Sequence, residues 1–351
     1  MFLPHLRFHG VLVRFRAHPL TAAGMNPTRA RLSLSLLGAA LALATGCAST
    51  PVAALEAVRV GEHSWYFHGD AGVASQANRG YTSNAGFVVT DEGVVVVDTL
   101  GTPALAREML AAIRAVTNQP VRRVVVTHYH ADHVYGLQVF QAEGAEIWAR
   151  SEGRLYLASD LAGERLAQRR VELAPWVDET TRVLPADRWI EFKDTESEDF
   201  SLGGIDFRLV TGGHAHAPDD LMLLVENDDV LFAGDLYFSG RLPFVVDGNT
   251  RGWLAAIERM QAAGARVVVP GHGEASENVA ADLALTGGYL RFLRSELGRA
   301  VEEMIPFDEA YERIDWSDYA NLPTFEAANR RNAYTVYLEL EAEALGSADG
   351  G

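Results

Sequence analysis

The feature that most constrains this chain is a set of four apolar runs, each followed within four residues by histidine or aspartate. The runs cover residues 121–126, 205–210, 230–233 and 266–269, and each has the length and composition of a buried strand. In α/β proteins, binding and catalytic residues collect where strands end. The four runs therefore predict an α/β fold whose functional site is built from the segments that follow its strands.

Helix-like segments alternate with strand-like runs over the rest of the chain. Pro103–Val116 has apolar residues at helical spacing and a proline suited to a first turn. A chain with this alternation folds as an α/β unit, and we place a single domain at residues 56–345. Further helices are predicted at residues 151–171, 250–263, 283–304 and 325–345.

The first polar cluster is Thr-His-Tyr-His-Ala-Asp-His at residues 127–133. His128 and His130 stand two residues apart on a turn, so both imidazoles can reach one metal ion. Asp132 and His133 follow at the start of a helix, where they point to a second ion close by. This spacing predicts two neighbouring metal sites.

The later clusters complete both predicted sites. His216 completes the ligands of the first ion, His272 completes those of the second, and Asp235 could bridge the two ions. One ion then has three histidines and an aspartate, the other has two histidines and two aspartates, and a hydroxide is shared between them. Imidazole and carboxylate ligands with open positions suit catalytic zinc, so two Zn²⁺ ions per chain are expected.

These motifs resemble those of the metallo-beta-lactamase superfamily. Residues 127–133 look like its His-x-His-x-Asp-His signature, and His216–Asp219 resembles its next motif, although Ala217 stands where serine or threonine is usual. Gly234-Asp235 and Gly271-His272 resemble its last two metal motifs. The resemblance covers roughly residues 56–300 and implies a four-layer αβ/βα sandwich with the metals at one edge.

Two further residues are placed beside the ligands. Asp98 ends the 94–97 run and matches the acidic residue that buttresses the site in many members of this superfamily. His214 stands two residues before the expected ligand, and the register against Pro218 and Asp219 favours His216 as the ligand. We therefore expect His214 to lie behind the ligands.

The chemistry expected of such a site is hydrolysis of an activated acyl bond in a thioester, lactone, ester or lactam. Paired metals lower the pKa of a bridging water to about 7 and stabilise a developing oxyanion. Asp132, the predicted catalytic residue, would orient that water and carry its proton.

Three alternatives to this hydrolase remain open at this stage. The best-known zinc β-lactamases have cysteine where this chain has Asp235, so a true β-lactamase is the less favoured alternative. An iron-dependent persulfide dioxygenase shares the fold and motifs but binds one iron. A non-catalytic metal-binding lipoprotein would leave the open metal positions unused. Residues 84–87 and 234–243 most resemble exported hydrolases of the sulfur-oxidation or quinoprotein gene neighbourhoods.

The expected partner is a small-molecule substrate, while the oligomeric state is left open. Phe238, Arg241 and Phe244 follow Asp235 closely and are predicted to line the cleft, with core packing or a surface ion pair as the alternative. A net charge of −17 disfavours a nucleic-acid partner, because such a surface repels phosphate.

The N-terminus has the pattern of an export signal. Arg29 and Arg31 precede an apolar stretch at residues 32–43, which has the length of a signal-peptide core. Residues 44–47, Ala-Thr-Gly-Cys, resemble a bacterial lipobox, so residues 1–46 are predicted to be removed, with translation starting at Met1 or Met25. The mature chain would then be lipid-anchored through Cys47, its only cysteine, on the periplasmic side of a bacterial membrane, with residues 47–55 as a tether. An ordinary cleaved signal peptide is the alternative.

Overall fold

The computed structural model describes residues 55–192, 196–245 and 247–348. The predicted signal peptide (1–46), Cys47 and all of the tether except Leu55 lie outside these residues, so export and lipidation stay predictions. In the described part of the chain, no helix is both long enough and apolar enough to cross a bilayer.

The first of two β-sheets has seven strands arranged in chain order. Its first four strands pair antiparallel, and the fourth to seventh pair parallel. Parallel neighbours need crossover connections, which helices supply here. The strands are β1 (Val58–Arg59), β2 (Ser64–Phe67), β3 (Ala85–Thr90), β4 (Gly93–Val97), β5 (Val121–Val125), β6 (Glu146–Arg150) and β7 (Arg188–Ile190).

The second sheet has five strands, β8 (Ser197–Leu202), β9 (Ile205–Gly213), β10 (Asp220–Val225), β11 (Val230–Phe232) and β12 (Val267–Val269). Their order across the sheet is β12-β11-β10-β9-β8. Strands β8 to β11 pair antiparallel, while β11 and β12 pair parallel.

Apolar side chains fill three layers around these sheets. Val94 and Val96 of β4 pack against helices on the outer face of the first sheet, whereas Val95 and Val97 pack between the two sheets. A strand buried on both faces needs a continuous apolar run, and this explains why the sequence signal is strong here. Helices cover the outer face of the second sheet in the same way. The predicted four-layer αβ/βα sandwich is confirmed.

The helices mostly follow the predicted segments. Helix α1 (Pro103–Val116) has the predicted bounds, and the Thr102 side chain caps it by accepting from the backbone N–H of Leu105. The prediction of a single helix at residues 151–171 is wrong, because Ser159 has an extended backbone and divides the segment into two helices. The helices after α1 are α2 (Ala131–Val134), α3 (Leu137–Ala142), α4 (Gly153–Ala158), α5 (Asp160–Glu172), α6 (Thr250–Ala262), α7 (Val279–Glu302), α8 (Phe307–Arg313) and α9 (Phe325–Ala348).

Helix α9 packs against α7 and against the segment at residues 243–245. Asn332 donates to the Pro243 carbonyl and accepts from the Val245 N–H, and Arg294 of α7 pairs with Glu339. These contacts fix α9 beside the segment that follows Asp235, which brings it to the rim of the site described next.

Candidate metal centre

Strand direction explains why the four polar clusters meet. Strands β9 and β11 both run antiparallel to β10, and β12 runs parallel to β11, so all three end at the same edge of the second sheet. In the first sheet β4 and β5 are parallel and end together. The two edges adjoin, since the Leu221 N–H donates to the Thr127 carbonyl at 2.8 Å.

One group of potential ligands consists of His128, His130, His216 and Asp235, whose ligand atoms all lie within 4.8 Å of one another. Nδ1 of His130 lies 2.8 Å from Nε2 of His216, and that Nε2 lies 3.3 Å from Oδ2 of Asp235. This is the set predicted for the first ion.

The second group consists of Asp132, His133 and His272. Nε2 of His272 lies 3.5 Å from Oδ2 of Asp132 and 3.3 Å from Oδ2 of Asp235. Nε2 of His133 lies 3.1 Å from Oδ1 of Asp235. Asp235 therefore contacts members of both groups, which is the position of a bridging ligand.

The chemistry of these atoms fits metal ions. Nε2 of His128, Nε2 of His133 and Oδ1 of Asp235 are buried and form no hydrogen bond among the described residues, because the 3.1 Å contact between the last two lacks hydrogen-bond geometry. An unsatisfied buried polar atom costs about 1–3 kcal/mol, and three that converge on one space indicate that something binds there. A metal cation bound by these imidazole nitrogens and carboxylate oxygens would satisfy all three atoms.

In His128, His133 and His272 the other ring nitrogen contacts a neighbouring residue, which orients the ligand atom. Nδ1 of His133 lies 2.8 Å from Oδ2 of Asp98, and Asp98 also accepts from the N–H and hydroxyl of Thr127. The Thr127 hydroxyl lies 3.1 Å from Nδ1 of His128. Nδ1 of His272 lies 2.6 Å from the Thr82 carbonyl. Asp98 thus occupies the buttressing position that the sequence predicts.

Asp247 is a residue that the sequence analysis missed. Its Oδ2 lies 3.3 Å from Nε2 of His130, the nitrogen that points away from the ligand group. Carboxylates in this position fix the ring and tautomer of a metal-binding histidine. His214 is exposed and lies outside both groups, and its Nε2 approaches the Asp247 carbonyl at 3.1 Å. His214 therefore approaches Asp247, which in turn contacts the predicted ligand His130.

Electrostatics favour the protonation states that ligands need at four of the five ligands with a shifted pKa. The exception is His133: burial lowers its pKa, but the nearby carboxylates outweigh burial and raise it well above the ordinary value, so this ring must lose a proton to bind a metal. Burial holds the pKa of His128 well below its ordinary value and lowers that of His216 to about 3, so both rings are neutral. Burial alone would raise the pKa values of Asp235 and Asp132, but the surrounding histidines outweigh it. The pKa of Asp235 is well below its usual range, and that of Asp132 is about 2. Both carboxylates are charged and ready to bind cations.

Gly271 allows Asp235 to reach its position. A Cβ at residue 271 would lie 2.0 Å from Oδ1 of Asp235 and 2.7 Å from the carbonyl carbon of Gly234. Gly234 itself has φ +54, which favours glycine. The two glycines of the Gly-Asp and Gly-His motifs therefore let two loop backbones pass closely beneath the ligands.

A cavity of about 570 Å³ opens over both groups. His130, Asp132, His216, Asp235 and His272 face it, so a small molecule in the cavity can reach both ligand groups. Its other walls come from residues 72–74, from one face of α5 and from Ala327 and Arg331 of α9.

The predicted substrate residues divide into two kinds. Arg241 and Phe244 line the cavity, as predicted. Phe238 is not among the lining residues, which corrects the prediction made for it. It is fully buried and stacks behind His272, with ring centroids 5.0 Å apart and planes at 10°. Its apolar ring packs in the core and supports the ligand from the side away from the cavity.

Comparison with known proteins finds two enzymes that are similar in sequence. The chain is 25% identical over 263 residues to a linear primary-alkylsulfatase of Pseudomonas sp. (strain ATCC 19151), covering 64% of this chain and 48% of that one. It is 28% identical over 185 residues to the 2,4-dinitroanisole O-demethylase subunit alpha of Nocardioides sp. (strain JS1661), covering 52% and 50%. The chain spans about half the length of both relatives.

A solved structure is similar to this chain in fold. The sec-alkylsulfatase Pisa1 of Pseudomonas sp. superposes with a TM-score of 0.60 at 18% identity, over 81% of this chain and 50% of that one.

The family model described as the metallo-beta-lactamase superfamily matches residues 78–272. The match covers more than half of the chain, from the loop before β3 to the last predicted metal ligand. The predicted enzyme class, a metal-dependent hydrolase of this kind, agrees with the match. The chain belongs to the metallo-beta-lactamase superfamily.

Proposed function

We propose that this protein is a dinuclear zinc hydrolase that cleaves an activated acyl bond in a small molecule. The observation that carries the proposal is the position of Asp235, which contacts His216 of one ligand group and both His133 and His272 of the other. A carboxylate shared in this way suits two ions held side by side. His128, His130 and His216 would hold the first ion, and Asp132, His133 and His272 the second.

When bound, zinc ions supply Lewis acidity, which polarises a carbonyl and lowers the pKa of water to about 7. The chain's own residues supply position and proton transfer. The Asp132 carboxylate faces the cavity and is charged, so it can accept a hydrogen bond from the attacking water and take up its proton. The Ser83 hydroxyl donates to the Asp132 carbonyl at 2.6 Å, which fixes the start of α2 and therefore that carboxylate.

A substrate panel tests this proposal. We expect measurable hydrolysis of thioesters, lactones or activated esters, with hydrolysis of β-lactams weak or absent. The reason is that Asp235 would supply a hard anionic oxygen to both ions, where lactamases of the cysteine type have a soft thiolate on one ion. The measurement is kcat/KM for each class at equal zinc content, with Asp132→Asn as the inactive control. A β-lactam as the best substrate would make the protein a true lactamase and our inference from Asp235 wrong.

Sulfate-ester hydrolysis is a second candidate function. It is favoured by the similarity to a linear primary-alkylsulfatase and by the arginine side chains that line the cavity. An alkyl sulfate such as dodecyl sulfate therefore belongs in the same panel. Turnover of dodecyl sulfate above that of every acyl substrate would favour this candidate over the acyl one.

We also propose that the protein acts on the periplasmic side of a bacterial membrane, anchored by a lipid on Cys47. The support is the Ala-Thr-Gly-Cys sequence that follows the apolar stretch at residues 32–43. Wild-type protein should sediment with membranes after cell lysis, and Cys47→Ser should lose both lipid labelling and sedimentation. Soluble wild-type protein whose mature N-terminus is another residue would contradict the anchor.

A further inference from the structure

Arg241 is a buried cation in the wall of the cavity. It follows Asp235 in the chain, its side chain is only 1% exposed, and it lies next to His272. Removing a guanidinium from water costs several kcal/mol unless an anion or several acceptors replace the lost hydration. Arginine is therefore seldom buried unless something binds it.

The described residues leave most of this guanidinium unsatisfied. Nη1 donates to the Gly72 carbonyl at 3.2 Å, and Nε is buried without a partner. Nη1 also lies 3.3 Å from Nδ1 of His272. That nitrogen lies 2.6 Å from the Thr82 carbonyl, which can only accept, so it carries the proton and cannot accept from Arg241. Arg241 thus makes one hydrogen bond within the described chain, although a guanidinium has five donors.

The carboxylates nearest to Arg241 do not compensate its charge. Asp235, Asp132 and Asp70 act on it electrostatically, but none of them forms an ion pair with it among the described contacts. Burial outweighs all three and lowers the pKa of Arg241. Asp235 and Asp132 belong to the ligand groups, so bound metal would neutralise them further, and Asp70 is exposed to solvent, which screens its charge. The unbalanced positive charge then faces the cavity.

Neighbouring rings hold the guanidinium in place. Its central carbon lies 5.9 Å from the ring centroid of Phe238 and 5.7 Å from that of Phe244. Together with the Gly72 carbonyl, these contacts restrict the side chain before any ligand arrives, which reduces the entropy lost on binding. A residue needed only for packing would have no reason to be charged at this place.

We propose that Arg241 binds an anionic oxygen group of the substrate, a carboxylate or a sulfate, beside the metal centre. This proposal rests on the proposed function and narrows its substrate class to molecules that carry an acidic group. The anionic group lies within a few bonds of the bond that is cleaved, since Arg241 contacts the predicted ligand His272. A guanidinium suits this task, because its fork of N–H groups matches the two oxygens of such an anion.

Anion binding tests the proposal without any turnover. Metal-loaded wild type, Arg241→Gln and Arg331→Gln are titrated by calorimetry with succinate and with inorganic sulfate at fixed ionic strength. We expect Arg241→Gln to weaken binding of at least one anion by about tenfold or more, as for loss of a charged hydrogen-bonding partner. Arg331 lines the same cavity but is exposed, so Arg331→Gln, which removes the same charge, should change binding less than about threefold.

The outcome that overturns the proposal is equally specific. If Arg241→Gln binds both anions as tightly as the wild type at equal metal content, the metals alone hold the anion and the assignment is wrong. Metal content is measured for each variant, because Arg241 contacts His272. If the glutamine variant lacks metal, Arg241→Lys replaces it. Lysine keeps the charge but loses the fork, so binding should weaken by about threefold or more, and unchanged binding again refutes the proposal.

A matched pair of esters separates this proposal from the proposed function. Mono-4-nitrophenyl succinate carries a carboxylate, whereas 4-nitrophenyl pentanoate is neutral and of similar size. The wild type should prefer the acid by about tenfold in kcat/KM, and Arg241→Gln should abolish that preference, read as the ratio of the two kcat/KM values so that a loss of turnover common to both esters does not affect it. If neither ester is hydrolysed but Arg241→Gln still loses anion binding, the acyl function fails and the assignment of Arg241 stands. An equal preference in both proteins contradicts the assignment.

Discussion

Replacing Asp235 by asparagine is expected to lower metal affinity and kcat/KM by more than about 100-fold, because loss of groups that merely support a ligand already costs 10- to 100-fold. The substitution keeps the shape of the side chain but removes the negative charge that contacts both ligand groups. His133 and His272 would then lose the carboxylate that lies within 3.1 and 3.3 Å of them. The measurement is metal affinity by competition with a chelator, together with kcat/KM on the best substrate of the panel.

Asp220→Asn is the matched control for that experiment. Asp220 is also a buried aspartate, it follows the His216 motif, and it belongs to neither ligand group. Burial raises its pKa well above the ordinary value, and an amide oxygen can still accept from the Ala217 N–H, so asparagine replaces the carboxyl group closely. Metal affinity should be nearly unchanged in this variant. An equal loss of metal in both variants would mean that the loss reflects damage to the loop rather than a missing ligand.

Replacing Asp98 by alanine is expected to destabilise the protein by about 2–5 kcal/mol, because the buried N–H and hydroxyl of Thr127 lose their acceptor. Alanine would also be strained at φ +57, the conformation of Asp98. Nδ1 of His133 would lose its partner, so metal affinity should fall by about 10- to 100-fold as well. Asp98→Asn tolerates the same backbone, so it should lose metal affinity with a smaller loss of stability. Chemical denaturation and chelator competition measure the two effects.

Asp228→Ala separates a loss of stability from a loss of metal. Like Asp98, Asp228 is buried and accepts three hydrogen bonds, from the N–H groups of Glu62 and His63 and from the Ser64 hydroxyl. It contacts no member of the ligand groups. The control should therefore lose stability but keep its metals. If Asp228→Ala lost as much metal affinity as Asp98→Ala, the effect at Asp98 would be a general consequence of instability.

The ligand residues could be predicted because their signal is local. His128, His130, Asp132 and His133 lie within six residues, and each later cluster directly follows an apolar run. Such a run is a reliable strand signal when both faces of the strand are buried, as in β4 and β12. Strand β8 lies at the edge of its sheet, and its sequence Ser-Glu-Asp-Phe-Ser-Leu has no apolar run. The sequence therefore does not predict it as a strand.

The surroundings of the ligands could not be predicted in the same way. Asp247 meets His130 across 117 residues, and no motif or spacing marks it. Arg331 reaches the cavity only because α9 packs on the second half of the fold, and that packing depends on contacts far apart in the chain. The same reason applies to Phe238, whose side chain turns into the core while Arg241 and Phe244 face the cavity. Proximity to Asp235 in the chain does not decide which side chains reach the substrate.

Metal content per chain is the most direct test of the dinuclear centre. Elemental analysis and native mass spectrometry of the protein from about residue 50 should give about two zinc ions per chain, as two complete sets of imidazole and carboxylate ligands require. His128→Ala should lose mainly one ion, His133→Ala mainly the other, and His214→Ala neither. A wild-type protein with a single iron, and oxygen uptake in the presence of a persulfide, would contradict the dinuclear hydrolase and make the protein an oxygenase.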